Sequence, residues 1–504
     1  MKHRHKGAVA AGHELTAQAM KEILIEGGNA FDAAIAGAFM ACVAEPVLAA
    51  PGGGGFCMIH EAQGGNFSLL DFFAHTPRRK TASAELEFFP ITADFGTATQ
   101  EFHIGAGAAA TPGFAQGLCM LHERLGKIPL PRIAEPAVRA ARKGVKVSPF
   151  QAGLFQIISP ILISNPCARA IYAPGGELLK AGEVLLNLAL GDSLEALAAE
   201  GAELFTKGEI GQAILAQSKD QGGHLHLEDL TSYRAKMRRP VLRRYGGLEM
   251  FVNPPPSAGG TLIAFALGLL PHLDDKQGLT LALARALDLG DAARREAGHC
   301  LETLSDDAAL IACLEKAGRH KPARRGTTHV SAIDGHGNAA ALTISNGEGN
   351  GFMLGKYGFM LNNMLGEEDL NPHGFQNWPE NTRLSSMMAP TLVRDHSGGL
   401  IALGSGGSNR IRSAITQVIA RLGRGEELVR AVDAPRLHLE HGHLDFEDFF
   451  SDDLRASLLA AFPDHRAWSE KNMFFGGVHA VSCSSQGEFT IAGDPRRSGI
   501  GYIV

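Results

Sequence analysis

The sequence predicts an α/β protein of layered architecture, and three observations carry that expectation. Its 504 residues are enough for several ordinary domains or for one large layered domain with helical additions. In the first half, apolar residues recur at helical spacing, as at Leu15, Ala19, Met20, Ile23 and Leu24. In the second half, the β-formers Val330, Ile333, Leu342 and Ile344 flank Asp334-Gly335-His336-Gly337-Asn338, the pattern of two strands joined by a tight turn. A helix-rich first half and a strand-rich second half are therefore expected.

The first helix should stop at Gly27-Gly28. A second begins at once, with Asn29 as N-cap and Asp32 at the third helical position. Its small residues, Ala33, Ala34, Ala36, Ala38 and Ala41, predict close packing as far as Pro46. Strands are expected at residues 56–60 and 66–71, around Gly64-Gly65. The four glycines Gly52 to Gly55 lack the lysine of a phosphate loop and precede a strand rather than a helix, so they predict close backbone approach. Thr111-Pro112-Gly113 opens a further helix, and residues 129–141 begin another with Pro131 in its first turn. Residues 150–232 are mainly helical in pattern, and residues 233–252 are basic and then β-like. The run from Asn253 through Pro254-Pro255-Pro256-Ser257 to Gly259-Gly260 reads as a connector. Residues 261–320 predict consecutive helices, ending in a basic segment, 321–326, expected to be solvated and mobile. Thr327 stands where that segment meets the predicted sheet, and by local pattern alone it is a good strand residue.

Composition narrows the function. A formal net charge of -6 gives no basic footprint, so no nucleic-acid partner is expected. Seven cysteines are scattered without the close pairs of a zinc or redox motif, and reduced thiols are expected. The basic N-terminus has no apolar core of a signal peptide and no apolar run reaches spanning length, so the expectation is a cytoplasmic protein without a membrane partner. His438, His441 and His443, with Asp445, Glu447 and Asp448, are dense enough to suggest a metal, but their mixed acidic and apolar surroundings fit an exposed loop and strand. Gly404-Ser405-Gly406 lacks the frame of a serine-hydrolase elbow.

A set of short motifs, each weak alone, occurs in a telling order. They are Gly27-Gly28-Asn29-Ala30-Phe31-Asp32-Ala33-Ala34, Gly52 to Phe56, Thr111-Pro112-Gly113, the proline run to Gly260, Gly326-Thr327-Thr328-His329, Leu361-Asn362-Asn363, Leu384-Ser385-Ser386-Met387, Gly404 to Ser408 and Asp433-Ala434-Pro435-Arg436. Over nearly its whole length the chain resembles the γ-glutamyltransferase family of N-terminal-nucleophile hydrolases. The resemblance implies a four-layer αββα sandwich with two stacked, mainly antiparallel sheets. It also implies a precursor that cuts itself between Gly326 and Thr327, giving a large segment, 1–326, and a small one, 327–504, within one domain. Glycine before the nucleophile suits this, since it offers little bulk and tolerates a strained backbone. The freed Thr327 amine, with a reference pKa of about 7.7–8.0, can serve as general base for its own hydroxyl, so no cofactor is needed. His329 is then expected to be structural. By the same resemblance, Gly406 and Gly407 donate N–H groups to the oxyanion, Ser345 supplies a hydroxyl bonded to the nucleophile, and Ser385 and Ser386 surround the acyl group. A small amide or γ-glutamyl substrate and an amine acceptor are implied as partners.

The departures concern the substrate. Where the family has an arginine that grips the γ-glutamyl α-carboxylate, Asp71-Phe72-Phe73-Ala74 places Phe73, and a bidentate charge pair is missing. Arg78, Arg79 or Arg383 could reach in from elsewhere. Glu367, with Glu368 adjacent, stands at the place of the acidic group that holds the α-amino group, and Asn346 stands in for the family's loop asparagine. Residues 366–383 form either a lid or a solvated loop. The expectation is an amide hydrolase with altered acyl specificity; the alternative is a binding or scaffold homologue that keeps the fold without processing itself.

Overall fold

The hairpin that follows Thr327 is the centre around which the layers form. The structure is a computed structural model that describes residues 5–94, 99–273, 278–297, 326–371 and 374–504. The strands of its two large sheets are, in chain order, β1 (Gly7–Ala11), β2 (Gly54–Glu61), β3 (Asn66–Phe72), β4 (Lys236–Arg238), β5 (Val241–Tyr245), β6 (Leu248–Val252), β7 (Thr328–Asp334), β8 (Ala339–Ser345), β9 (Thr391–Arg394), β10 (Leu400–Gly406), β11 (Gly477–Cys483), β12 (Phe489–Ala492) and β13 (Ile500–Ile503). A seven-stranded sheet has the order β13-β1-β7-β8-β2-β3-β4, and a six-stranded sheet the order β12-β11-β10-β9-β6-β5. Every neighbouring pair is antiparallel.

Both faces of β7 and β8 are buried, because each sheet is covered by the other on one side and by helices on the other. Alternation sorts the side chains. Val330, Ala332, Leu342 and Ile344 pack with α1 (Glu14–Ile25) and α2 (Ala30–Ala44), whereas Ile333, Ala339 and Ala341 pack toward the second sheet. On the far side of that sheet lie α3 (Ala258–Leu269), α4 (Leu279–Ala297) and α5 (Arg410–Leu422). The four layers are thus helix, sheet, sheet, helix.

The first helices form as their sequence dictates. Asn29 accepts from the Phe31 and Asp32 amides, both at 2.9 Å, and Asp32 accepts from the Asn29 amide, a reciprocal cap. The Asp334 carboxylate in the hairpin turn accepts the Ala30 amide at 3.1 Å, tying the cap of α2 to the second half of the chain.

Two expectations need correction. The halves are not separately helical and stranded: β1 lies between β13 and β7, and β2 lies between β8 and β3, so each sheet is woven from both. A sheet buried on both faces shows its period weakly in short apolar runs, which is why β1 escaped notice. The run ending in Gly259-Gly260 is not wholly a connector, because Ala258 already begins α3. Most of the helices expected after residue 297, the basic segment up to residue 325, and Cys300 and Cys313 lie outside the described residues. Cys42, Cys57, Cys119 and Cys167 are free thiols. Among the described residues no helix is long and apolar enough to cross a membrane.

Candidate active site

Strand alternation decides which of Thr327 and Thr328 faces the space between the sheets. Counting back from Ile333 through Ser331 and His329, position 327 points between the sheets and position 328 toward the helices. Accordingly, Thr328 Oγ1 donates to Glu45 Oε2 at 2.7 Å, and Thr16 Oγ1 to Glu45 Oε1 at 2.9 Å. Burial raises the Glu45 carboxyl above its ordinary range, against the pull of these hydroxyls. Thr327 Oγ1 instead donates to the carbonyl oxygen of Gly326 at 2.7 Å, and its residue is only 5% exposed.

The Gly326–Thr327 peptide is held from several sides. Ser345, the last residue of β8, donates through Oγ to the same Gly326 oxygen at 2.9 Å and accepts the Gly347 amide at 3.0 Å. Glu348 Oε1 accepts the Gly326 amide at 3.0 Å, and the Glu348 amide is bound by Asn363 Oδ1 at 3.0 Å. The glycines before β2 make room for this, since a methyl on Gly53 would overlap the Ser345 carbonyl. Gly406 gives the same freedom from the facing sheet: a methyl there would overlap the Thr327 carbonyl oxygen and lie 3.0 Å from Arg497 Nη1. Gly407 has φ of +116°, a backbone that favours glycine. Arg497 is buried against this pair, and burial draws its guanidinium down to about 10.

A pocket of about 30 Å³ lies beside Thr327. It brings together Gly326, Thr327, Ser345, Phe73, Glu367 and Ser386, all of them sequence-expected, and Met364, Leu370, Met387, Met388 and Ile411 make the remaining wall largely apolar. Ser385, Asn346, Gly406 and Gly407 are not among its walls. Asn346 is buried with Nδ2 toward the Met360 and Leu361 carbonyls, at 3.4 and 3.5 Å. Ser386 is set by α3: its carbonyl accepts the Gly259 amide at 3.0 Å and the Ser257 hydroxyl at 3.2 Å.

The missing arginine is not replaced from the expected positions. Arg383 is buried on the outer side of the pocket wall, with Nε 3.3 Å from Asp71 Oδ1, Nη2 donating to the Arg234 carbonyl at 2.7 Å, Nη1 bonded to the Phe73 carbonyl, and its plane 4.7 Å from the Tyr233 ring centre. Arg78 reaches Ser232 and Asn381 at 3.3 and 3.4 Å, and Arg79 is exposed. Phe73 itself stacks on Phe56, ring centroids 5.4 Å apart. In the segment 366–383, Glu367, Asn371 and Trp378 are buried and Asn371 Nδ2 donates to the Met364 and Glu367 carbonyls at 3.1 and 2.7 Å, so its first part is a cover over the pocket rather than a solvated loop.

The histidines play supporting parts. His329 bonds Thr343 Oγ1 at 2.7 Å and Ser331 Oγ at 2.9 Å, and burial holds its imidazole well below the ordinary range, as a neutral brace. The suspected metal residues lie on two paired strands and their turn, as expected, but not all are exposed: His438, Asp445 and Glu447 are buried, bonded to Ser413, to Arg466 and Trp468, and to Arg496 respectively. Sequence reasoning missed Glu45, Glu348 and Arg497, and nothing in their local pattern marks them, since each acts across a sheet or layer boundary.

An αββα sandwich with a threonine at the edge of the inter-sheet space, its hydroxyl on the carbonyl before it, has the architecture of the N-terminal-nucleophile hydrolases. The chain matches the gamma-glutamyltranspeptidase family over residues 16–504 and belongs to it; it is an enzyme of that family. It is 30% identical, over 98% of its length, to the acylase ACY 1 proenzyme of Pseudomonas sp. strain V22, 93% of which is covered. It is also 30% identical, over 97% of its length, to the glutathione hydrolase proenzyme of Escherichia coli strain K12, 90% of which is covered. Among solved structures, a cephalosporin acylase from Bacillus halodurans shares the fold with a TM-score of 0.86, covering 99% of this chain and 96% of that one at 23% identity.

Proposed function

We propose that this chain is a self-processing amidohydrolase and acyltransferase with Thr327 as nucleophile, whose acyl group differs from γ-glutamyl. One observation carries the reading: the Thr327 and Ser345 hydroxyls both converge on the Gly326 carbonyl, at 2.7 and 2.9 Å. Thr327 Oγ1 attacks the Gly326 carbon, the Gly326–Thr327 C–N bond breaks to leave an ester and a free amine, and water hydrolyses the ester. The products are segments 1–326 and 327–504. In the mature enzyme the Thr327 amine takes the hydroxyl proton as Oγ1 attacks a substrate amide, and passes it to the leaving amine. Water or a second amine then releases the acyl group. Gly406, at the Thr327 carbonyl, and Gly407 after it, against Arg497, are assigned to the oxyanion, and Ser345 to the nucleophile.

The acyl group is read from the pocket. Phe73 in an apolar wall cannot pair a carboxylate, and burying one unpaired there is costly. Glu367 keeps a place for an amino or hydroxyl group. The substrate is thus an amide whose acyl part is largely apolar, with a hydrogen-bond donor rather than a carboxylate near its end. Acylase proenzymes among the relatives support a divergent acyl group. The test is N-terminal sequencing of the purified protein beside Thr327→Ala. A chain beginning at Thr327 in the wild type and none in the variant is expected; an intact wild-type chain after prolonged incubation sinks the proposal in favour of a non-processing scaffold.

A further inference from the structure

The loop that follows β8 turns two side chains onto one residue. Gly347 and Gly349, with φ of +62° and +92°, fold it back so that Ser345 meets the Gly326 carbonyl and Glu348 the Gly326 N–H, at 2.9 and 3.0 Å. The turn is braced, since the Gly347 amide donates to Ser345 Oγ and the Glu348 amide to Asn363 Oδ1. Glu348 is 5% exposed, and a neutral carbonyl would hold an N–H there at less desolvation cost than a carboxylate. Holding the peptide does not by itself explain the acid.

Its placement and the chemistry of processing do. Gly326 lies in the walls of two cavities: it shares the acyl pocket with Thr327 and Ser345, and it shares a separate cavity of about 440 Å³ with Glu348. Hydroxyls stand on one side of Gly326, and a carboxylate with room for water stands on the other. Once Thr327 Oγ1 has taken the Gly326 carbon from its nitrogen, the freed amine stays tethered beside the ester and can attack it again, restoring the peptide. Such an intramolecular return has a high effective concentration, so water completes the cut only when it is activated. A placed general base contributes about 10²–10⁴-fold.

We propose that Glu348 is the general base of the second step of processing, the hydrolysis of the ester between Gly326 and Thr327. Its carboxylate takes a proton from a water in the larger cavity as the water oxygen bonds to the Gly326 carbon. Ser345 Oγ donates to the oxyanion, as it does to the same oxygen in the uncut chain. The C–Oγ1 bond then breaks, the proton on Glu348 passes to Oγ1, and Gly326 is left as a carboxylic acid that ionises. One loop thus serves both halves of the cut, Ser345 polarising the carbonyl and Glu348 supplying the hydroxide.

The inference rests on Thr327 being the nucleophile, and the test separates the two. Wild type, Glu348→Gln and Thr327→Ala are made by cell-free synthesis and followed on denaturing gels, with and without neutral hydroxylamine, which attacks an ester without a base. Glutamine keeps an oxygen for the Gly326 N–H and removes the proton acceptor. Glu348→Gln should be cut about 10²-fold or more slowly than wild type. Hydroxylamine should restore its cutting and leave a hydroxamate on Gly326, read by mass spectrometry, while Thr327→Ala stays whole throughout. Cutting of Glu348→Gln at the wild-type rate overturns the assignment. So does a folded Glu348→Gln that hydroxylamine cannot cut, because a residue that only positions the peptide stops the chain before the ester. Where glutamine prevents folding, Glu348→Ala with added formate decides: cutting that rises with formate supports the base, and cutting indifferent to it overturns the base. A wild-type chain that stays whole counts against Thr327, whereas a cut wild type with no effect at position 348 counts against Glu348 alone.

Discussion

Thr327 and Thr328 are chemically alike, and their roles part because a strand sends successive side chains to opposite faces. One meets the Gly326 carbonyl and the other the buried Glu45 carboxylate. The Ser345 hydroxyl, which accepts the Gly347 amide, donates to the Gly326 carbonyl, the group the proposed processing step attacks. Ser345→Ala should slow processing by about 10²-fold, the effect of removing one oxyanion donor, while Ser345→Thr keeps it within a few fold; a time course of cleavage on denaturing gels measures both. At Phe73, an apolar ring where a carboxylate clamp is expected predicts poor turnover of γ-glutamyl-p-nitroanilide and better turnover of p-nitroanilides with uncharged acyl groups. Efficient use of the γ-glutamyl compound would overturn the acyl assignment.

At the scale of elements, the proposed acyl pocket is built where α3 presses on the extended segment carrying Ser386. Gly259 lies in the first turn of α3, and a methyl there would overlap the Met387 carbonyl oxygen. Gly259→Ala should therefore cost about 1–3 kcal/mol through overpacking and push Ser386 out of register. A lowered thermal midpoint together with a raised KM, with processing at Thr327 retained, is the expected result; an unchanged KM would detach α3 from substrate binding. The capped start of α2 serves a similar end, because Asp334 ties it to the hairpin that presents Thr327.

For the molecule as a whole, the weave of the sheets fixes what cleavage can do. Strand β1 of the first segment lies between β13 and β7 of the second, and β8 of the second pairs with β2 of the first. Separating the segments would break several strand ladders and the two largest hydrophobic clusters. The cut protein should therefore elute from a sizing column as one species of the uncut chain's mass, and part into two only in denaturant. Early separation in native buffer would contradict this account.

Much of this was legible in the chain. The Asn29–Asp32 cap, the hairpin after Thr327 and the glycines that allow close backbone approach are local devices, readable because spacing and residue type suffice. The order of motifs pointed to Thr327, Ser345, Ser386 and Phe73, which the structure brings to the walls of one pocket. Arg383 was not readable: its placement on Asp71 and Tyr233, outside the pocket, depends on partners far along the chain. Nor were the burial of His438, Asp445 and Glu447, the hold of Glu348 on Gly326, or Arg497 beside Gly406. The sequence by itself determined the local geometry and the class of nucleophile, because those follow from neighbours a few residues apart. Only the tertiary structure decided which charges stand beside Gly326 and Thr327 and which are turned away, because that depends on how two sheets and two helical layers are stacked.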